Sequence, residues 1–259
     1  KKLRGSSSPS KSSGAAQMKT LRRLPKLLKF VPGTAQDLRT YFLAMQYWLA
    51  GSCENIAGLI AMLAERYAAG PRASLRGAVT VPPPVTYPDV GLYHPRLPGT
   101  VGTDPEAVRE ISSGGRQTRG TVGLILMRAY ILSGDRAHYD GVIDQFERAG
   151  LTVIPVFSSG LDSRPAMDAY FTVDGEPAVD AIVSLTGFSL VGGPAYNDTG
   201  AAAEALEAFG VPYTVCQPLE FQSLDAWRDG SVGLLPVEAT MMVAIPELDG
   251  AVSPTVIGG

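Results

Sequence analysis

Thr121-Val122-Gly123-Leu124-Ile125-Leu126-Met127 is a run of seven residues without a charge, and its reading decides the fold. A strand that is apolar at consecutive positions is covered on both faces, which requires elements that cross over from strand to strand. The residues that follow supply them. Tyr139 to Ala149 is an amphipathic helix closed by Gly150, and Leu151 to Phe157 is the next strand. Pro165 to Phe171 is helical, Ala181 to Thr186 is a strand, Ala201 to Phe209 is a helix closed by Gly210, and Val211 to Cys216 is a strand again. Such alternation predicts a parallel sheet between two helix layers. Right-handed crossovers then make it a Rossmann-like or flavodoxin-like open α/β sheet, whose ligands sit beyond the carboxyl ends of the strands. Three segments fall there: Ser133-Gly134-Asp135 with His138, Ser158 to Asp162, and Thr186 to Asp198.

In the last of these an apolar strand runs directly into a glycine-rich turn, Thr186-Gly187-Phe188-Ser189-Leu190-Val191-Gly192-Gly193. Neither G-x-G-x-x-G nor G-x-x-x-x-G-K-[ST] occurs, so the turn is not a nucleotide fingerprint and ATP handling is not expected of this chain. The glycines serve either a plain tight turn or a close approach of backbone to a flat ligand or a carboxylate. Thr186, Gly187, Phe188, Gly192 and Gly193, with His138, are the candidate substrate-binding residues, and Val at Gly193 is expected to be poorly tolerated. His94 and His138 are the only histidines, and neither has a second ligand at metal spacing. No catalytic motif is present, and no catalytic or metal residue is assigned.

Toward the N-terminus the period changes to that of helices. Thr34 and Asp37 have capping-box spacing, and Leu38, Phe42, Met45 and Leu49 form a stripe that ends at Gly51. Ser52 caps a second helix whose stripe is Ile56, Leu59, Ile60 and Leu63. Tyr41, Phe42, Tyr47 and Trp48 read as core at this spacing, with a flat stacking platform as the sharper alternative. Val79 to Val81 and Val90 to Tyr93 are short strand candidates. The tract from Pro95 to Arg119 is glycine-rich and without period, which predicts a mobile loop or junction. The division expected is therefore residues 1–33 as basic linker and short amphipathic helix, 34–119 as helical pair and irregular junction, and 120–259 as a Rossmann-like domain truncated at its C-terminus.

Residues 1–29 hold nine Lys or Arg and no acid, which leaves 13 basic against 25 acidic groups in the remainder. The basic run from Lys19 to Lys29 is short and lacks aromatics, so a solvated packing helix is favoured over nucleic acid or anionic membrane. No apolar run reaches the roughly 18 residues needed to span a bilayer. Lys1-Lys2-Leu3-Arg4 has no apolar signal core behind it, and Cys53 and Cys216 lie on segments of different character. Both point to a reduced compartment.

The Val183–Asp198 stretch also carries a resemblance, with Lys29-Phe30-Val31-Pro32-Gly33-Thr34-Ala35-Gln36-Asp37-Leu38-Arg39, Met45-Gln46-Tyr47-Trp48-Leu49 and Gly91-Leu92-Tyr93-His94-Pro95. Gly134-Asp135-Arg136-Ala137-His138-Tyr139 and Ala244-Ile245-Pro246-Glu247-Leu248-Asp249-Gly250 extend it. Together they resemble the large porphyrin-binding H-subunit family of magnesium chelatases, in family order from about Leu21 onward. The resemblance implies a fragment of a longer subunit that inserts Mg2+ into protoporphyrin IX in (bacterio)chlorophyll synthesis. It implies ATP hydrolysis by separate AAA+ motor proteins, I and D, and no cofactor held by the fragment itself. It places a His-rich motif suited to the insertion chemistry beyond the end of this chain, so the fragment alone is expected to be inactive. Ser189 and Ala195-Tyr196-Asn197-Asp198 resemble the bacteriochlorophyll type, which favours the cytoplasm of an anoxygenic phototroph over a plastid stroma. The related cobaltochelatase large subunit, a scaffold that docks the motor proteins, and a periplasmic-binding-like ligand domain stay open.

Overall fold

A computed structural model of the chain describes residues 34–193 and 196–258. The basic linker and helix expected over residues 1–33 lie outside the described residues, as do Pro194 and Ala195. The chain divides into two compact units, one ending at Tyr87 and including Leu132–Gly134, the other made of Pro88–Ile131 and Asp135–Gly259.

In the first unit, α1 (Thr34–Ala50) and α2 (Cys53–Tyr67) form an antiparallel pair. The chain reverses through Gly51, whose φ of 67° suits glycine. Ser52 caps α2 by accepting from the Asn55 N–H at 3.2 Å. Asn55 in turn ties down the extended segment that returns over the pair, donating to Val85 O at 3.0 Å and accepting from Val85 N at 2.9 Å. The seam is narrow. Thr40, Tyr47, Asn55 and Met62 are buried along it, and at Gly58 a Cβ would stand 2.7 Å from the Tyr47 ring. Leu38, Leu49, Ile60 and Leu63, expected inside, are exposed, and so are Tyr41 at 58% and Trp48 at 64%. Of the four aromatics read as core only Tyr47 is buried, because one partner helix covers a seam and not a stripe some 100° wide. Val79 to Val81 forms no strand.

The second unit is the sheet. Its strands are β1 (Val90–Tyr93), β2 (Val101–Gly102), β3 (Thr121–Met127), β4 (Thr152–Ser158), β7 (Ala181–Ser184), β10 (Tyr213–Pro218) and β11 (Val252–Gly258), in the spatial order β11-β10-β7-β3-β4-β1-β2. Two small hairpins account for the rest, β5 (Thr172–Val173) with β6 (Glu176–Pro177), and β8 (Gly192–Gly193) with β9 (Tyr196–Asn197). The five strands from β11 to β4 are parallel, and β1 and β2 add antiparallel at the edge. Numbered among themselves the parallel strands run 2-1-3-4-5. That is the flavodoxin-like order, and it decides between the two α/β topologies left open by the sequence.

Helix α3 (Pro105–Ser113) lies in the tract expected as a mobile junction, which belongs to this unit. It starts where Asp104 accepts from the Glu106 N–H at 3.0 Å and stops at Gly114, φ 60°. It buries Val108 completely, and Ser112 Oγ accepts from the Val153 N–H of β4 at 2.7 Å. The sheet unit therefore begins at Pro88 and not at residue 120. A nine-residue helix with one buried apolar anchor has too short a period to stand out, although Asp104-Pro105 and Gly114-Gly115 are start and stop signals. The fifth parallel strand, β11, is hidden in the sequence too: Pro254 inside it and the exposure of its first four residues mark an edge.

Helices α4 (Arg128–Ser133), α5 (Ala137–Arg148), α6 (Arg164–Tyr170) and α7 (Thr199–Phe209) make the connections between strands, and the short α8 (Leu224–Asp229) follows β10. Ile125, Ile154, Val156, Ile182 and Val215 are all but inaccessible in the core. Gly123 of β3 faces the Phe171 ring so closely that a Cβ there would lie 2.5 Å from it.

Candidate functional site

In a 2-1-3-4-5 sheet the strand order reverses between the first and third strands, here β3 and β7, and a crevice opens beyond their carboxyl ends. A cavity of about 210 Å³ lies there. Its walls come from Met127 at the end of β3, Tyr130 on α4, Leu185 to Phe188 after β7, Pro218 at the end of β10, and Glu220 and Phe221 after it. Met241 and Met242 close it. They stand in a π-helical turn (Ala239–Ala244) between α9 (Pro236–Glu238) and α10 (Ile245–Leu248), the kind of local irregularity that recurs at functional sites.

Thr186, Gly187 and Phe188 are thus brought together. The Thr186 hydroxyl sits 2.9 Å from that of the fully buried Ser184, so it is held inward. Gly187 has φ 75° and its absent Cβ would lie 4.0 Å from Met242 Cε, an ordinary contact. The turn needs glycine for its backbone angle, not for space. Gly192 and Gly193 are elsewhere, in the β8–β9 hairpin. Gly192 has φ 122°, and a Cβ there would sit 2.2 Å from Tyr196 O. Its N–H donates to Leu161 O at 2.7 Å. A Cβ on Gly193 would meet only the end of the Leu161 side chain.

His138 does not line the cavity. Its ring lies 4.0 Å from that of Tyr139 and 5.5 Å, edge-on, from that of Tyr130. Its Nε2 is buried and makes no hydrogen bond, and burial pushes its pKa below the usual imidazole value, so the neutral form is favoured. Tyr139, behind it, accepts from the Met127 N–H at 3.1 Å and so fixes the end of β3. His94 is a structural corner: fully buried, with Nε2 3.0 Å from Glu147 Oε1 and Nδ1 accepting from the Arg96 N–H at 3.2 Å.

Two buried carboxylates that the sequence does not single out set the shape of the cavity. Glu238, at the start of the Met-bearing helix, accepts from the Phe221 N–H at 3.3 Å, the Leu235 N–H at 2.9 Å and the Gln222 side chain. Asp249, at the other end, accepts through Oδ2 from the Ser189 hydroxyl and the Leu190 N–H, both at 2.8 Å. The helix is thereby pinned to both wall loops, the one after β10 and the one after β7. Burial raises the Asp249 pKa against the pull of those two donors, and its Oδ1 is buried without a partner. On the outer rim the Tyr130 hydroxyl donates to Glu220; burial first, and then this carboxylate, raise the phenol's pKa.

The arrangement can hold an apolar group at the head of the sheet. Among the described residues no group of three or more His, Cys, Asp or Glu is placed to bind a metal, and no helix is long and apolar enough to cross a membrane.

Comparison with known proteins divides the chain at a different place from the two compact units. Residues 45–259 match the model of the CobN/Magnesium Chelatase family, and residues 1–42 match a domain of unknown function, DUF3479. The border between the two falls inside α1. The magnesium-chelatase H subunit of Cereibacter sphaeroides is 54% identical over all 259 residues, which cover 21% of that protein. The chloroplastic magnesium-chelatase protein ChlH of Oryza sativa is 39% identical over 256 residues, covering 94% of this chain and 18% of the relative. The chain spans about a fifth of the length of these curated relatives. Among solved structures, the catalytic subunit of cobaltochelatase from Mycobacterium tuberculosis superposes with a TM-score of 0.54 at 23% identity, over 82% of this chain and 16% of that one. That likeness carries the fold alone.

Proposed function

We infer the function from the family to which the chain belongs, the CobN/magnesium chelatase family. The observation that carries the reading is the 54% identity to a magnesium-chelatase H subunit, sustained from the first residue to the last. The cobaltochelatase alternative is weaker, because the aerobic cobaltochelatase protein CobN of Sinorhizobium is 32% identical over only 51% of the chain. The proposed activity of the whole subunit is insertion of Mg2+ into protoporphyrin IX on the way to (bacterio)chlorophyll. Mg2+ is substrate there, and ATP is hydrolysed by the partner AAA+ motor proteins I and D. The compartment proposed is the bacterial cytoplasm.

Within that activity the part assigned to this chain is to hold one side of the porphyrin at the switch-point cavity, through Phe188, Phe221 and the Met241–Met242 turn. Thr186 and Gly187 shape the wall, and His138 supports it through Tyr130. Mg2+ must shed tightly held water and the macrocycle must lose two protons, which calls for oxygen ligands and bases. The described residues of this chain are assigned neither task. Two measurements test the reading. Titrating the chain into a water-soluble porphyrin should give a saturable shift of the Soret band that is lost in Met242→Lys; no shift would refute the assignment. With Mg2+, ATP and both motor proteins, the chain alone should form no Mg-porphyrin fluorescence above a blank.

A further inference from the structure

We propose that the switch-point cavity takes a flat, uncharged apolar group, and that a tetrapyrrole therefore enters it by the edge that bears no propionates. The second half rests on the porphyrin reading above; the first does not. Three observations carry the proposal. The cavity measures about 210 Å³, below the roughly 300–1,000 Å³ of pockets that enclose a drug-sized ligand. It has room for one edge of a macrocycle and no more. Its inner surface is thioether and aromatic, from Met127, Phe188, Phe221, Met241 and Met242, a polarizable lining that adapts to flat unsaturated groups.

None of the residues that line it is Lys, Arg or His, and the single charged one is acidic, Glu220. Glu220 is held at the rim by the Tyr130 hydroxyl. An anion brought inside would give up water, gain no cation and face this carboxylate, and each of these disfavours it. The Thr186 hydroxyl does not change the balance, since Ser184 already engages it. The carboxylates of a ligand must then remain outside, in solvent or against other groups.

The test uses the full chain with methionine ε-methyl groups labelled for NMR, assigned by single Met→Leu substitutions, and two small probes, indole and benzoate. Indole should move the Met241 and Met242 signals in a saturable way, whereas benzoate should need at least about tenfold more to do so. Benzoate acting at the same or lower concentration would overturn the proposal, and so would indole leaving both signals in place. A second arm compares deuteroporphyrin IX with its 2,4-disulfonate, which carries charge on the edge away from the propionates. Affinity should fall by about tenfold or more, and Glu220→Gln should recover part of the loss. Equal affinity for the two would overturn the orientation. If indole binds at these methionines and no porphyrin binds anywhere, the cavity chemistry stands and the porphyrin reading fails.

Discussion

Gly187 and Gly192 stand five residues apart in one glycine-rich stretch, and they do different things. At Gly187 the chain turns with φ 75° beside an open cavity, and an added Cβ would make only an ordinary contact. At Gly192 the chain turns with φ 122° against another strand, and an added Cβ would lie 2.2 Å from the Tyr196 carbonyl oxygen, well inside van der Waals contact. The first glycine shapes the wall of a cavity; the second closes a hairpin. A glycine-rich turn after a strand is thus two features run together, and only backbone angle and proximity separate them.

The comparison breaks most readily at Gly192. Gly192→Val combines a backbone overlap with a disallowed φ, and should cost about 3 kcal/mol or more by the scale of strain at special backbone positions. Thermal unfolding reads this directly, and a loss under about 1 kcal/mol would mean that the hairpin relaxes freely. Gly193, where the sequence predicts Val to be poorly tolerated, meets only a flexible Leu161 side chain and should cost less. Gly187→Ala carries the left-handed cost alone, about 1–2 kcal/mol, with porphyrin affinity altered and the hairpin intact. Equal losses at Gly187 and Gly192 would erase the distinction.

Asp249 sharpens the comparison from the other wall. Its folded pKa is raised, so the fold favours the protonated acid; the stability this group lends is present at low pH and lost as pH rises through the raised value. Asp249→Asn should therefore gain on the parent chain at neutral pH, and the gap should shift against it as pH falls into the carboxylate range. A pH-independent gap would mean that burial does not govern this side chain. The smallest effect is expected at His138. Its pKa is lowered, so the unfolded chain takes up a proton below about pH 6.5 while the folded one resists. His138→Phe should flatten the loss of stability on that acid limb, as urea titrations at a series of pH values would read.

The sheet was legible because its central strands are apolar at consecutive positions, as at Leu124-Ile125-Leu126, and such runs admit few readings. Which order the strands take was not, since it depends on β7 pairing with β3 and not with β4, which an apolar run does not encode; β11 was hidden as well, by its Pro254 and exposed positions. Thr186 to Phe188 could be placed at the head of the sheet from the strand that precedes them. Met241, Met242, Glu238 and Asp249 could not, because they reach the cavity from a helix late in the chain, by contacts that leave no periodic trace. The exposed stripes on α1 and α2 mark the limit of helical period as a guide: it shows which residues share a face and not whether anything covers that face.

The central claim is that the ligand meets the Gly187 turn and not the Gly192 hairpin. Hydrogen exchange of the chain with and without deuteroporphyrin IX tests it most directly. The account predicts slower exchange over Leu185–Phe188, over Pro218–Phe221 and around Met242 when porphyrin is bound, with Gly192 and Asn197 unchanged. Protection confined to the hairpin, or to the α1–α2 pair, with the switch-point segments unmoved, would contradict it.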